Sequence, residues 1–304
     1  MAPHLAIVVA VLEEGHITRA AKRLDMPQPT VSRALQRVER ELDVALVQQN
    51  GRGITVTEAG RALLGPAAQA LAALKTARSE LADAVDPERG RVALAFLHTL
   101  GAWDVPLLID AFRASWPEVR FSLAQGPAAT ILDRLRSGET DVVITAPLPA
   151  DDDTLGTLPL REEELFLTVP TGHRFARLQQ VDLRQAAQEP FVALTTGHGL
   201  REIFDGLCTD AGFVPRLEFL GEDVATLRGL VGTGQGLAVL PAGVSAGPDS
   251  VQIPMRHPVA RRTIGAAWLR QRRLPRVVRH FLEFLHTSGA QVLAEGPTLT
   301  PGPA

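Results

Sequence analysis

Apolar side chains recur at helical spacing through the first part of the chain. In the third of three short segments they fall three or four positions apart, which keeps them on one face of a helix. Gly15 and the stretch 25–27 separate the segments, because glycine and proline favour helix ends, and Thr18 is a suitable N-cap for the second segment. The predicted helices cover residues 5–12, 19–24 and 28–42.

Two short helices joined by a tight turn have the dimensions of a helix-turn-helix, whose second helix enters the major groove of DNA. Glutamine and arginine suit bidentate contacts with base edges, while serine and threonine reach bases or phosphates. Strand, turn and strand over 44–56 follow and predict a small wing with Arg52 at its tip. The exposed polar positions of the second helix are Gln28, Thr30, Ser32, Arg33, Gln36 and Arg37.

The charge distribution points to the same two helices. Residues 1–60 carry seven basic and seven acidic side chains, so the region as a whole has no basic surface. Residues 15–38 carry five basic side chains and one acidic side chain, and DNA phosphates attract such a surface. Charge alone leaves a solvated helical bundle open as an alternative, but the tight turn and the wing favour DNA binding.

A long helical pattern starts after Thr57, a good N-cap residue, and runs to about residue 85. Small apolar residues recur at steps of four and three, a heptad seam that a partner helix would cover. We therefore expect a homodimer through this helix, with packing on the chain's own domain as the alternative. Gly65 and Pro66 are expected to kink or interrupt the first turns. The seam consists of Leu63, Ala67, Ala70, Leu74, Ala77, Leu81 and Ala84.

Beyond a charged boundary at 86–90, strands alternate with helices in the order βαβαβ, which predicts a parallel sheet with crossover helices. A second such unit begins near residue 160. The tail from Gly296 is rich in Pro, Gly and Thr and is expected to be disordered. The predicted strands are 91–96, 120–123, 141–145, 160–169, 191–194, 216–221, 236–240 and 263–269, and the predicted helices are 105–115, 128–137, 200–211, 224–231 and 275–285.

Two α/β units leave a cleft, and ligands of open parallel sheets bind beyond the carboxyl ends of the strands. The loops there offer hydroxyls, helix-start amides and histidines, which suit a small anionic or polar ligand such as a carboxylate. Helix capping is an equal alternative role for the two histidines. The predicted ligand-binding residues are His98, Thr99, Gln125, Thr145, Thr196, His198 and Glu222.

Composition narrows the classes of protein. With 304 residues, 45% hydrophobic and 21% charged, the chain predicts a soluble protein of two or three domains. The single cysteine, Cys208, excludes an internal disulfide framework and a Cys-rich zinc site, and it favours a reducing, cytoplasmic setting. No apolar run reaches about 18 residues, and no basic segment of a secretory signal precedes Leu5, so neither a membrane span nor export is predicted.

Motifs of the common cofactor and enzyme classes are weak or missing from the sequence. The glycine-rich run 231–236 ends a predicted helix and enters a strand, so it does not indicate a nucleotide site. Neither Gly-x-Ser-x-Gly nor His-Glu-x-x-His occurs. We therefore predict no cofactor, no metal and no catalytic residue. Eight arginines and no acid lie within 256–279, which predicts a solvated face or subunit contact, with DNA or an acidic partner as the alternative.

Several motifs resemble those of LysR-type transcriptional regulators over roughly residues 3–285. They are Glu14-Gly15-His16-Ile17-Thr18-Arg19-Ala20-Ala21-Lys22-Arg23-Leu24, Gln28-Pro29-Thr30-Val31-Ser32-Arg33, Gly51-Arg52-Gly53 and Val56-Thr57-Glu58-Ala59-Gly60. The resemblance implies a multidomain α+β chain, with a winged helix-turn-helix, a long linker helix, and a two-lobed α/β effector domain similar to periplasmic solute-binding proteins. The implied DNA-binding residues are Thr18, Arg19, Gln28, Pro29, Thr30, Ser32, Arg33, Arg37 and Arg52.

The implied domains are a DNA-binding domain at 1–60, a linker helix at 61–87, an effector domain at 88–290 and a disordered tail at 291–304. Lobe I would cover about 88–160 and 266–290, and lobe II about 161–265. The implied partners are double-stranded operator DNA, a small-molecule effector, a second subunit with a tetramer as the larger alternative, and RNA polymerase for an activator. Four positions depart from the family pattern: Pro27 replaces a capping serine, Gln49 an arginine before the wing, His16 a serine and Val47 a phenylalanine.

Two other classes of protein could use such a cleft. A solute-binding receptor would have the two lobes without a DNA-binding arm and would carry an export signal, which is not what this sequence predicts. An α/β enzyme would require paired catalytic groups, which the motifs do not supply.

Overall fold

The computed structural model describes residues 4–50, 53–85, 90–149, 152–242 and 249–295. The chain divides near residue 82 into an N-terminal unit and a C-terminal unit. The N-terminal unit has a helical core, and the C-terminal unit has two apolar cores. The N-terminal unit consists of α1 (Leu5–Glu14), α2 (Ile17–Arg23), α3 (Gln28–Leu42), β1 (Val47–Asn50), β2 (Gly53–Val56) and α4 (Glu58–Val85).

Three short helices enclose the core of the N-terminal unit, as the spacing of apolar residues predicts. Helix α3 has the predicted bounds, and Val31, Leu35 and Val38 on its inner face are buried. Leu42, the last member of that series, is 39% exposed because the helix ends there at a left-handed residue, Asp43. The amphipathic pattern thus determines which side of α3 stays free.

The prediction that Thr18 caps α2 is wrong. The helix begins at Ile17, and its N-cap is His16, whose Nδ1 accepts a hydrogen bond from the backbone N–H of Thr18 at 3.2 Å. Histidine is an unusual cap, and the sequence signals for caps favour serine, threonine, aspartate and asparagine instead. The threonine hydroxyl is consequently available for a different contact.

Strands β1 and β2 form the predicted antiparallel wing, in which Gln49 pairs with Ile54. Arg52, predicted at the tip, lies outside the described residues. Thr57 caps α4, since its hydroxyl accepts a hydrogen bond from the N–H of Gly60 at 3.0 Å and donates one to the carbonyl of Ala45 at 2.8 Å. One threonine therefore joins the long helix to the wing.

Helix α4 is continuous through Pro66, so the predicted interruption near Gly65 is wrong. The heptad seam divides along its length. Ala67 is buried with Ala68 against α1, whereas Ala70, Leu74 and Ala77 are exposed, Leu74 by 56%. The first part of the seam thus packs on the chain's own domain, and the next part has an apolar surface open to solvent. The side chains of Leu81 and Ala84 lie outside the described residues.

The C-terminal unit contains the alternating strands and helices that the sequence predicts, together with elements that it did not. Its strands are β3 (Arg91–Phe96), β4 (Arg120–Gln125), β5 (Val142–Thr145), β6 (Leu155–Pro170), β7 (Val181–Asp182), β8 (Pro190–Leu194), β9 (Arg216–Gly221), β10 (Ala238–Pro241), β11 (Ser250–His257) and β12 (Arg261–Leu269). Its helices are α5 (Asp104–Ser115), α6 (Ala128–Arg136), α7 (Gly199–Asp210), α8 (Val224–Gly232), α9 (Arg276–Phe284) and α10 (Ala290–Glu295).

Two apolar cores lie within this unit, one in each lobe. The first lobe packs α5, α6 and α9 on the parallel strands β4, β3 and β5, with Phe112 and Phe281 fully buried. The second lobe centres on the parallel pair β8 and β9, with Phe191 fully buried. Strand β6 pairs antiparallel with β12 and contributes to both cores, so it connects the lobes, while β12 contributes to the first core.

Three sequence predictions for this unit need correction. Strand β6 starts at Leu155, not 160, because its first residues pair with β12. Strand β11 was missed; its apolar residues alternate, but Pro254 lies within it, and a proline without an N–H donor argues against a strand. Residues 291–295 belong to α10 and not to a disordered tail, because Leu293 packs into the first core. The chain from Gly296 onward lies outside the described residues.

Replacing Gly60 by Ala tests the packing of α4 on the wing. A Cβ at this position would meet the carbonyl oxygen of Leu46 at 2.3 Å, which neither backbone can avoid without moving. We expect Gly60→Ala to destabilise the N-terminal unit by about 1–3 kcal/mol, measured as faster hydrogen exchange in α1 to α3. Gln69→Ala, on an exposed position of the same helix, should leave that exchange unchanged. Equal exchange in both variants would contradict this packing.

Candidate functional site

The solvent side of α3 presents a row of polar side chains. Gln28, Pro29, Arg33 and Arg37 are exposed. Thr30 and Ser32 are half-buried at the edge of the same face. The structure therefore places all the residues predicted on this helix on one continuous surface, opposite the buried face. Such a helix has the shape and chemistry to enter a major groove.

Two arginines of this surface are held by neighbouring groups. The Nε of Arg33 donates to the carbonyl of Pro29 at 3.2 Å, one turn earlier in α3. The Nε of Arg37 lies 3.4 Å from a carboxylate oxygen of Glu41. Both arginines remain exposed, and such surface contacts are weak enough to exchange for a phosphate or a base.

The two predicted DNA-binding residues on α2, Thr18 and Arg19, make different contacts. Arg19 is turned back to the end of α1, where its Nη2 donates to the carbonyl of Glu14 at 2.5 Å and its Nε lies 3.5 Å from the Glu14 carboxylate. The hydroxyl of Thr18 donates to Oε1 of Gln28 at 3.3 Å. The side chain of Thr18 thus lies beside the exposed face of α3. The carboxylate of Glu14 partly compensates the charge of Arg19.

Pro27 is the N-cap of α3 and supplies no side-chain hydrogen bond, which agrees with the departure noted in the sequence. Its carbonyl accepts from the N–H of Thr30 at 2.9 Å. A helix start without a side-chain cap keeps unsatisfied N–H groups at its positive end. That end favours a negatively charged partner such as a phosphate.

A cleft opens between the two lobes of the C-terminal unit, at the carboxyl ends of the parallel strands. Four predicted residues line it: His98 and Thr99 from the first lobe, and His198 and Glu222 from the second. The other lining residues are Leu97, Gly126, Pro127, Ala128, Ala146, Leu194, Gly199, Leu200, Asp223, Val224 and Arg262. The cleft is therefore apolar over much of its wall, with a few polar groups that converge on it.

Three predicted ligand-binding residues do not line this cleft. Gln125 is exposed, and its side-chain amide lies over Gly101. Thr196 is exposed on the loop before α7. Thr145 is fully buried at the end of β5, and its hydroxyl has no hydrogen-bond partner. Sequence position relative to a strand end located the loops correctly, but it could not tell which side chains turn toward the cleft.

Arg262 is the cleft residue that the sequence analysis missed. Its side chain is only 2% exposed; Nε contacts a carboxylate oxygen of Glu163 at 2.5 Å, and Nη2 donates to the hydroxyl of Thr99 at 3.3 Å. An ion pair continues from there, because Arg161 lies 3.1 Å from Asp104 and 3.4 Å from Glu163. The available signal was the acidic run that follows Arg161 on β6, which pairs with the two consecutive arginines at the start of β12.

Burial raises the pKa of Asp104 above its usual range, although the charge of Arg161 acts in the opposite direction. The network of Asp104, Arg161, Glu163 and Arg262 contains two positive and two negative groups, so it brings no net charge when all four are ionised. A ligand carboxylate in the cleft would therefore meet a guanidinium that is already paired, and would rely on added hydrogen bonds for its binding.

His198 connects the two loops of the second lobe that face the cleft. Its Nε2 lies 3.0 Å from the carbonyl of Glu222, and its Nδ1 lies 3.3 Å from the hydroxyl of Thr195. Nδ1 also lies 3.1 Å from the carbonyl oxygen of Thr195. His198 is the N-cap residue of α7, but its side chain makes no capping hydrogen bond and bridges the two loops instead.

The lobes approach each other closely around the cleft. The N–H of Ala129, in the first turn of α6, donates to the carbonyl of Gly197 in the other lobe at 3.2 Å. A Cβ at Gly199 would meet the carbonyl oxygen of Ala146 at 2.5 Å. The cavity that remains between the lobes is small, about 30 Å³. A ligand of several heavy atoms requires the lobes or loops to separate.

Asp223 already occupies the start of α8, where its carboxylate accepts from the N–H of Thr226 at 2.9 Å. Hydrogen bonds from the Thr226 side chain and backbone lower the pKa of Asp223. The carboxylate is therefore ionised at neutral pH and faces a cleft wall that also carries His98. Of the helix starts around the cleft, this one is unavailable to an anionic ligand.

The described residues give little support for a metal site, a membrane span or a nucleophilic cysteine. They contain no group of three or more histidine, cysteine or carboxylate side chains placed to hold a metal ion, and none of their helices is long and apolar enough to cross a membrane. Burial raises the pKa of Cys208 to about 12. Its thiol stays protonated at neutral pH and is a poor nucleophile.

Comparisons with known proteins match both units. A profile described as "Bacterial regulatory helix-turn-helix protein, lysR family" covers residues 3–61, and one described as "LysR substrate binding domain" covers residues 86–290. Among curated relatives, the HTH-type transcriptional regulator YybE of Bacillus subtilis is 33% identical over 271 residues, covering 89% of this chain and 92% of the relative.

The transcriptional dual regulator GltC, also of Bacillus subtilis, is 31% identical over 284 residues, covering 92% of this chain and 95% of the relative. The solved effector-binding domain of QuiR in complex with shikimate is 25% identical with a TM-score of 0.64, covering 67% of this chain and 98% of that domain. With a winged helix-turn-helix, a long helix and a two-lobed cleft on one chain, the protein belongs to the LysR family of transcriptional regulators.

Proposed function

We propose that α3 reads operator DNA, that the exposed seam of α4 joins two subunits, and that a small carboxylate in the cleft changes the DNA-bound arrangement. The observation that carries the first part is the row of exposed polar side chains on α3, from Gln28 to Arg37. We also infer that the protein is not an enzyme and that it works in the cytoplasm, where its operator would be found.

The dimer proposal rests on the exposed apolar residues of α4. Ala70, Leu74 and Ala77 continue the heptad spacing beyond the part that packs on α1, and exposed apolar stripes of this kind favour a partner helix. Two subunits would present two copies of α3 to successive half-sites of a palindromic operator. The same proposal includes a tetramer as the larger assembly and contact with RNA polymerase if the protein activates transcription.

The effector proposal rests on the cleft. Its polar groups are the hydroxyl of Thr99, the imidazole of His98 and the guanidinium of Arg262, and the start of α6 lies beside them. Hydroxyl and N–H donors around an apolar wall suit a compact carboxylate with a hydrocarbon or ring body. The bound shikimate of the QuiR domain, a carboxylate on a ring, supports this class.

A change in lobe closure gives the proposal its mechanism. The lobes touch through backbone groups at Gly197 and Gly199, so a ligand that needs space must alter these contacts. A ligand shifts a conformational equilibrium only as far as it binds one arrangement better than the other. The effector would act on DNA binding through this difference in affinity, whether the outcome is activation or repression.

Arg33→Ala tests the reading helix. We expect it to weaken specific binding to the intergenic DNA upstream of the protein's own gene by about 1–3 kcal/mol, because one side chain is lost from the base-reading surface. Fluorescence anisotropy at two salt concentrations, with unrelated DNA as competitor, measures the effect. Arg40→Ala removes the same charge from the last turns of α3 and should reduce specific binding much less. Equal losses in the two variants would mean that α3 contributes charge alone.

Thr99→Val tests the cleft. A hydroxyl that bonds a carboxylate contributes about 1.5–3 kcal/mol, so the variant should bind an effector roughly ten to a hundred times more weakly. Thermal unfolding of the full-length protein, with shikimate and a panel of small mono- and dicarboxylates, measures the stabilisation by ligand. Thr196→Val, on the exposed loop outside the lining, is the matched control. The proposal fails if no carboxylate stabilises the unsubstituted protein, or if the two variants respond alike.

A further inference from the structure

We propose that Thr18 is a specificity-determining residue that orients the side-chain amide of Gln28, so that Gln28 recognises guanine in preference to adenine. The inference rests on the proposed role of α3 in reading DNA. It adds what neither the family nor the row of polar residues specifies, namely which base edge one of those residues selects. The two residues are ten positions apart and lie on different helices, so only the tertiary structure brings them together.

The contact is a hydrogen bond of 3.3 Å from the hydroxyl of Thr18 to Oε1 of Gln28. Its donor is well anchored, because Thr18 lies in the first turn of α2 and its N–H is bound to Nδ1 of His16. Its acceptor is the first residue of α3. Both side chains are exposed, so the contact lies on the surface and not in the core.

Orientation matters because the two ends of a glutamine amide have opposite hydrogen-bonding character. The oxygen only accepts, and the nitrogen donates two protons. The two atoms diverge from one carbon, so an oxygen held toward Thr18 turns the nitrogen away from it. Held in this way, Gln28 directs the N–H groups of Nε2 outward, while Oε1 accepts the hydrogen bond from Thr18.

Base edges in the major groove distinguish these two states. Guanine presents two adjacent acceptors, N7 and O6, whereas adenine presents one acceptor and one donor. A bidentate contact with adenine needs the glutamine oxygen to accept from the adenine amino group. An amide oxygen has two lone pairs, so Thr18 opposes that contact by fixing the direction of Oε1 and not by filling it. The donors of Nε2 are then the atoms left to face a base, and they suit guanine.

The hydrogen bond between Thr18 and Gln28 contributes little to the folding stability of the protein. Exposed side-chain hydrogen bonds replace bonds to water and contribute little on balance. The cap of α2 is made by the N–H of Thr18 and not by its hydroxyl, so loss of the hydroxyl leaves the cap in place. A role in orientation therefore makes a different prediction from a role in folding.

The experiment selects binding sites from a pool of randomised double-stranded DNA with the full-length protein. Five proteins are compared: the unsubstituted chain, Thr18→Val, Thr18→Ser, Gln28→Ala and the double variant Thr18→Val with Gln28→Ala. The base position read by Gln28 is the one whose preference disappears in Gln28→Ala. Circular dichroism and salt-dependent binding to bulk DNA show whether each variant is folded and retains phosphate contacts.

We expect guanine at the position read by Gln28, and a loss of roughly tenfold in the preference for guanine over adenine in Thr18→Val. Thr18→Ser keeps a hydroxyl and should retain the preference of the unsubstituted protein. In the Gln28→Ala background, Thr18→Val should change the preference at that position no further, because Thr18 acts through Gln28.

Two results would overturn the inference while leaving the reading helix intact. One is adenine at the position read by Gln28 in the unsubstituted protein, which would mean that Oε1 faces the DNA. The other is a uniform loss of affinity in Thr18→Val with unchanged base preferences, which would make Thr18 a phosphate contact. Failure of the unsubstituted protein to enrich any sequence would instead overturn the proposed reading role of α3 together with the inference.

Discussion

The antiparallel pairing of β6 with β12 holds the C-terminal unit together, because β6 supplies residues to both apolar cores and β12 supplies residues to the first. Leu160 and Ile264 pack in the first lobe, and Leu165 packs in the second. Between them lie charged residues, among which Glu163 and Arg262 face each other across the two strands. Removing one member of such a buried pair leaves an uncompensated charge, so the pair is far harder to alter than the apolar positions around it.

The chemistry of the cleft follows from the pairing of β6 with β12. Arg262 is neutralised by Glu163 and still reaches the hydroxyl of Thr99, so strand pairing and the ligand loop share one guanidinium. The absence of a side chain at Gly199 then allows the lobes to meet closely, because a Cβ there would clash with the carbonyl oxygen of Ala146. Closure and ligand entry therefore compete for the same small space, and this competition gives an effector a means of changing the protein's conformation.

In the N-terminal unit, the single helix α3 serves both the core and the surface that faces DNA. One face of α3 fills the core with Val31, Leu35 and Val38, and this leaves the opposite face free for DNA. Small contacts at the rim, such as the bond between Thr18 and Gln28, then decide how the free side chains are presented. Helix α4 shares its seam between the chain's own core at Ala67 and an exposed surface around Leu74.

The sequence by itself determined the elements whose signals are local. The bounds of α3, the wing and the cap at Thr57 all followed from spacing and turn chemistry, because these depend on residues within one or two turns of each other. The same local signals failed at His16, an unusual cap, and at β11, where Pro254 argues against a strand although the apolar residues alternate.

Only the tertiary structure decided which side chains meet. The loops around the cleft were predictable from strand ends, yet Thr145 turned inward, Thr196 turned outward, and Arg262 arrived from a strand more than 160 residues after Thr99 along the chain. Side-chain direction and long-range pairing depend on how separate segments pack, and no local pattern contains that information. The sequence therefore identified the family and the loops that border the cleft, while packing determined which side chains line it.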